Sequence, residues 1–328
     1  MFRLLLSISL AVAALPLVSF AEVPPLPDET TSFGAAVLDE TLYVYGGHTG
    51  PAHVYSTADQ SGRFLRLDLC NPKKWEECPT GPKLQGLSLV AHGGLLYRLG
   101  GFTAMNAEGD DHDLRSQAAV AVYDPAARRW DELSSLPEPR SSFDAAMLGD
   151  RVYVFGGWNL QGESDGEWHA TAWSADLTKR PLVWEAETDA PFQRRALAVA
   201  AHGGKLYAIG GITPEGTTRR VEIYDPTTGK WSRGPELIGE RSIDGFGAAV
   251  RSTPHGLYVT SLSGALQRLE DDGTKWRQIA TLDAPRFFHA MISFRDGLLL
   301  VGGANMSDGK LDKPEFVRLS QPTTSGEE

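Results

Sequence analysis

Five copies of one short pattern fix what this chain can fold into. An apolar, aromatic and β-branched run stops at a glycine pair in Leu42-Tyr-Val-Tyr-Gly-Gly47, Leu96-Tyr-Arg-Leu-Gly-Gly101, Val152-Tyr-Val-Phe-Gly-Gly157, Leu206-Tyr-Ala-Ile-Gly-Gly211 and Leu298-Leu-Leu-Val-Gly-Gly303. A sixth copy, Leu257-Tyr-Val-Thr-Ser-Leu262, has lost both glycines. Such a run reads as a buried strand with a sharp exit. The first glycines fall at 46, 100, 156, 210 and 302, with Ser261 in the remaining place. A period near fifty residues marks the blades of a propeller.

Each period holds four strand-like pieces. In the fourth they are Ala196–His202, Lys205–Ile209, Arg219–Tyr224 and Trp231–Arg233, with the turn Asp225-Pro226-Thr227-Thr228-Gly229-Lys230 joining the last two. Thirty-five glycines and twenty prolines in 328 residues suit a chain with that many reversals. Four antiparallel strands repeated six times predict an all-β, six-bladed propeller. The tryptophans at 75, 130, 184, 231 and 276 recur in the fourth strands and read as structural.

Residues 1–21 stand apart. Arg3 precedes an apolar stretch from Leu4 to Leu15, and small residues follow, so a secretory signal peptide is expected, cut after Ala14 or Ala21. Export to a periplasmic or secreted location follows from it, with no transmembrane segment once it is removed. The propeller then occupies residues 22–319. The last blade lacks a fourth strand of its own, because 320–328 is polar and expected to be disordered. Phe20 aligns with the blade tryptophan position and Phe33 with Phe143, so a segment at about 18–24 is expected to close the ring. Cys70 and Cys78, an even count in an exported chain, are expected to form a disulfide.

Antiparallel order places all loops before first strands, and all loops after second strands, on one face. Binding residues are expected in these loops. The loops after the second strands run about 48–61, 102–117, 158–169, 212–218, 262–264 and 304–313, long in the first three blades and almost absent in the fifth. Arg140, Arg194 and Arg286 each stand sixteen residues before their Gly-Gly, and Arg241 takes the related place in the fifth blade. They predict a cationic ring suited to carboxylate, sulfate or phosphate. Phe102, Trp158 and Phe287 lie beside it and would stack on a ligand. Asp110, Asp111 and Asp113 offer oxygen ligands, but without the spacing of a calcium loop, and a solvated acidic loop is the simpler reading, so no metal is assigned.

The formal charge of −11 argues against general nucleic-acid binding. No nucleophile elbow, phosphate loop or zinc spacing is present, and no cofactor is expected.

The strand–Gly-Gly pattern, with the spaced Tyr123-Asp124-Pro125 and Tyr224-Asp225-Pro226 and the spaced tryptophans, resembles the kelch repeat from about residue 20 to 319. That resemblance implies a propeller of the kelch type, a fold that serves enzymes, adaptors and carbohydrate-linked proteins. The expected function is a binding module on the loop face for an anionic ligand, whether an acidic glycan, an acidic peptide or protein, or a small molecule. A single-domain, exported, six-bladed chain of this size is also similar to the sialic acid mutarotase (N-acetylneuraminate epimerase) family. That similarity implies the alternative, an isomerase of anionic sugars, with Glu215 and either Arg219 or Arg220 as its catalytic pair.

Overall fold

A computed structural model describes residues 23–162 and 164–319. The expected signal peptide, most of the closing strand and the tail at 320–328 lie outside the described residues. No helix among the described residues is long and apolar enough to cross a membrane.

Among the described residues, the repeats form six successive antiparallel sheets, the first five four-stranded and the last three-stranded, each pairing its strands in sequence order; a further four-stranded sheet and two short hairpins are built from the connecting loops. The first comprises Gly34–Leu38, Thr41–Tyr45, Phe64–Asp68 and Glu76–Cys78. The second comprises Ser88–His92, Leu95–Leu99, Val120–Asp124 and Arg129–Leu133, and the third Asp144–Leu148, Arg151–Phe155, Trp173–Asp176 and Trp184–Ala186. The fourth is Ala198–His202, Lys205–Ile209, Val221–Asp225 and Lys230–Arg233. The fifth is Val250–Thr253, Gly256–Thr260, Ala265–Leu269 and Trp276–Thr281, and the sixth Ala290–Phe294, Gly297–Val301 and Glu315–Arg318. Each first strand contacts the first strand of the next sheet, and Ala290–Phe294 also contacts Gly34–Leu38.

Second strands carry apolar residues on both faces because each lies between two neighbouring sheets. Gly256–Thr260 is buried throughout, whereas the outer strand Arg129–Leu133 is mostly exposed. The core is accordingly divided into clusters between sheets. Tyr153 and Phe155 of the third sheet, for example, pack with Leu206 and Tyr224 of the fourth. The outer tryptophans tie each sheet to the one before it. Their indole N–H groups donate to backbone carbonyls: Trp130 to Pro79 at 3.0 Å, Trp184 to Ser134 at 3.2 Å, Trp231 to Thr188 at 2.9 Å and Trp276 to Pro235 at 2.9 Å. Trp75 donates in the same way to Pro24, at 3.2 Å.

The glycine pair has two physical causes. Gly46 and Gly47 adopt φ of 69° and 105°, which L side chains rarely accept. A Cβ on Gly46 would also stand 2.4 Å from the Leu84 carbonyl oxygen of the next sheet. In the fifth sheet the chain instead turns tightly, with the Ser261 N–H donating to Ala265 O at 3.0 Å, so no glycine is required.

The expected disulfide is absent. The first sheet pairs Cys78 with Phe64, at the far end of the third strand from the turn that holds Cys70, so the length of that strand, about 13 Å, separates the two positions. Cys78 is buried against Tyr123, and Cys70 is exposed in the turn. A thiol reagent such as DTNB is expected to titrate one group per chain in the native state and a second only on unfolding. Protection of both thiols that reduction reverses would contradict the fold described.

Candidate functional site

The site begins with a backbone device. Ser32, Gly86, Ser142, Ala196, Gly247 and Phe288 occupy one equivalent position before each first strand, all left-handed with φ between 52° and 60°. Backbone hydrogen bonds link them from sheet to sheet: Gly86 N to Ser32 O, Ser142 N to Gly86 O, Ala196 N to Ser142 O and Phe288 N to Gly247 O, at 2.7–2.9 Å. The residues just before them bridge to those that follow Gly-Gly, as Thr31 with His48, Gln85 with Phe102, Ser141 with Trp158, Arg195 with Ile212 and Phe287 with Ala304. Both expected loop sets therefore meet on one face, around a mouth lined by this inner position.

The cationic ring is not at that mouth. Arg140, Arg194 and Arg286 are 0%, 1% and 2% exposed. Each guanidinium is spent on its own repeat. Arg140 donates to Gly156 O and Thr171 O, at 2.7 and 2.9 Å, and pairs with Glu138 at 2.9 Å. Arg194 donates to Gly210 O and Arg220 O and pairs with Glu222. Arg286 donates to Gly302 O and Lys313 O and pairs with Glu315 at 3.1 Å. Burial pulls Arg140 down to about 10 against the opposing pull of Glu138, which leaves it charged at neutral pH. These arginines fasten the glycine exit to the third strand. Arg241 does not share their place. It is exposed and precedes the short 3-10 helix Ser242–Gly245, while Gly245 takes the arginine position against Gly210.

The cation that faces the mouth is the next residue in the fourth repeat, Arg195. Its guanidinium carbon lies 4.1 Å from the Trp158 ring centre and 5.3 Å from that of Trp168. It has no ion pair with any carboxylate among the described residues, and its Nε, like the Trp158 indole nitrogen, is buried without a hydrogen-bond partner. Burial lowers its pKa, opposed only by Tyr55. Burial likewise raises the Tyr55 phenol, with Arg195 opposing, so the pair is a cation beside a neutral ring. Tyr55 reaches in from the first long loop and packs against His48, Phe102 and His112 at 5.0, 6.0 and 5.4 Å. The His48 Nε2 donates to Val54 O at 2.8 Å, and burial lowers its pKa, so it adds no charge at neutral pH.

Of the expected aromatics, Phe102 is buried beneath Tyr55, Trp158 carries Arg195, and Phe287 joins Phe246 and Phe288 in a cluster with ring separations of 4.9–5.3 Å. The loops after the second and third Gly-Gly pairs fold into one four-stranded sheet, Phe102–Ala104, Leu114–Ser116, Trp158–Gly162 and Ser164–Trp168. The Gln60 side-chain amide caps its inner edge, donating to Ala104 O and accepting from Ala104 N, both at 2.8 Å. That sheet pairs Trp158 with Trp168 and places both rings against Arg195.

The remaining candidates do not converge on this mouth. Glu215 is exposed at the tip of a hairpin formed by Ile212–Thr213 and Gly216–Thr217. Arg219 donates to Leu237 O and Gly239 O, at 2.8 and 2.5 Å, and Arg220 is exposed. Asp110 and Asp111 are exposed, Asp113 pairs with Arg115 at 2.8 Å, and no group of three or more potential metal ligands occurs among the described residues. An open recess of about 540 Å³ lies elsewhere on the surface, lined by Asp28, Glu29, Arg63 and Lys83 among others. Its cations are already engaged, Arg63 by Asp28 and Glu77 and Lys83 by Thr57 O.

The family described as the KLHDC2/KLHL20/DRC7 Kelch-repeats domain matches residues 86–303. Alpha-scruin of Limulus polyphemus is 26% identical over 236 residues, which is 67% of this chain and 25% of that protein. Kelch-like protein 35 of Mus musculus is 25% identical over 216 residues, 66% of this chain and 32% of that protein. The chain thus spans a quarter to a third of the length of these curated relatives. Among solved structures, that of YjhT superposes with a TM-score of 0.72 over 90% of this chain and 97% of that one, at 16% identity, a likeness of fold.

Proposed function

This chain belongs to the kelch-repeat family, and on that premise we propose that it is an exported binding module that takes an anionic ligand on its loop face. The observation that carries this reading is Arg195. In five of the six repeats the same position holds Thr31, Gln85, Ser141, Phe246 or Phe287, so the repeat has no architectural need for a cation there. A half-buried guanidinium without a carboxylate is costly, and an arriving anion would offset that cost. Titration calorimetry with acidic glycans and acidic peptides tests it. Binding that weakens with salt and falls at least about tenfold in Arg195→Gln supports the reading, since a charge-assisted hydrogen bond contributes on that scale. The absence of any millimolar anion binding would overturn it.

The isomerase alternative needs a carboxylate and a cation within reach of one substrate. Glu215 on an exposed hairpin tip and Arg219 held by two carbonyls favour the binding module instead. Mutarotation of sialic acid followed by NMR is expected to show no acceleration that depends on Glu215.

The six sheets are read as six blades, closed by the N-terminal segment. Pro24 takes the place, beneath Trp75, that Pro79 takes beneath Trp130, and Val23 and Leu26 are buried with Ile292, Leu299 and Val301 of the sixth sheet. Residues at about 18–24 would then supply the missing outer strand. N-terminal sequencing of exported protein is expected to find a chain that begins at residue 15. A first residue of Glu22 would remove most of that strand and contradict the closure.

A further inference from the structure

Resting on the reading that Arg195 receives an anion, we propose that the ligand is a small carboxylate with an apolar, planar body, its carboxylate on Arg195 and its body against Phe246, Phe287 and Phe288. Two independent departures from the repeat support this. The first is Arg195 itself. The second lies in the next two repeats around the mouth, where the same inner position carries Phe246 and then Phe287. The mouth therefore reads, in ring order, as Thr31, Gln85 and Ser141 on one side, then a cation, then two phenylalanines.

Phe288 adds a third ring at a backbone cost. Its equivalents are Ser32, Gly86, Ser142, Ala196 and Gly247, all small, and all share its left-handed backbone. A bulky side chain is a genuine outlier in that region, and such strain persists where something beyond the local fold requires it. Phe288 packs edge to face against both Phe246 and Phe287, those two are tilted on each other, and all three residues stay partly exposed. Phenylalanine side chains present neither donor nor acceptor. A sugar body would leave its hydroxyls unmatched along this arc, whereas an aryl or alkyl body would bury area against it.

Binding of benzoate, 4-phenylbutyrate, glucuronate and inorganic sulfate, each measured by calorimetry on the full chain, tests the inference. The two aryl acids are expected to bind at least about tenfold more tightly than glucuronate or sulfate, an advantage on the scale of one buried aromatic contact. Phe287→Ser is expected to remove that advantage while leaving glucuronate and sulfate unchanged, with Phe246→Ser as the independent variant should the first not fold. Arg195→Gln is expected to weaken every acid. Glucuronate or sulfate binding as tightly as the aryl acids, or a serine variant that weakens all four alike, would overturn this inference and leave the anion reading standing. No binding of any of the four would overturn both.

Discussion

Replacing Arg194 with alanine is expected to destabilise the protein by about 3–5 kcal/mol, the usual loss when one partner of a buried ion pair is removed. Arg194 is 1% exposed and its partner Glu222 has a side chain only 12% exposed, so the substitution strands a carboxylate away from water. It also orphans the Gly210 and Arg220 carbonyls that the guanidinium now satisfies. Urea unfolding followed by tryptophan fluorescence measures the loss. The double variant Arg194→Met/Glu222→Leu is expected to recover part of it, because an apolar pair removes both charges together while the two carbonyls stay without their donor. A ligand-facing arginine would behave differently. Its removal would cost little stability, as is expected of Arg195→Gln. Near-native stability in Arg194→Ala would contradict the staple role assigned to Arg140, Arg194 and Arg286.

A second large effect is expected from pH. Asp144, at the start of the third sheet's first strand, accepts from Ala145 N and Val199 N, both at 2.8 Å, and from the Ser88 hydroxyl at 3.3 Å. It thereby joins the innermost strands of three sheets. Burial outweighs these donors and pushes its carboxyl up to about 6, from 3.8. Because the folded state holds the proton more tightly, the contribution is present in full below the unfolded pKa and is lost as pH rises from about 4 through 6. Two pKa units correspond to at most about 3 kcal/mol, and since the residue keeps some exposure, about 1–3 kcal/mol is expected. His289 works in the opposite sense. Burial holds it near 3, so its contribution grows as pH rises from about 3 through 6.5. The difference between wild type and Asp144→Asn isolates the carboxyl. The asparagine variant is expected to gain on wild type between pH 4 and pH 7. A difference independent of pH would show that Asp144 does not titrate in this window.

The parts legible in the sequence are those that a period imposes. The second strands, the glycine exits and the outer tryptophans repeat because each sheet must bury the same faces against the next, so their positions emerged to within a residue or two. The sequence placed the Arg140, Arg194 and Arg286 series correctly in the repeat but on the wrong side of the chain. A residue one place along an extended segment points the other way, and the regular arginine turned inward while Arg195 took the mouth. The legible sign was Arg195 itself, a charge where the other repeats have none. Tyr55 had no such sign, because a long loop brings it over the mouth only through tertiary packing. Phe288 carried a usable one, a bulky residue at a position that elsewhere holds serine, glycine or alanine. The cysteine pair failed because parity and nearness in sequence say nothing about strand register, and register put the two thiols at opposite ends of a strand pair.

The central claim is that Arg195 alone among these arginines meets the ligand. Side-chain NMR of protein labelled with nitrogen-15 arginine tests it most directly, through the Nε–H resonances followed while benzoate is added. The Arg195 resonance, assigned by its loss in Arg195→Gln, is expected to shift and saturate while those of Arg140, Arg194 and Arg286 stay in place. An unmoved Arg195 beside a saturating shift in any of the other three would contradict the account.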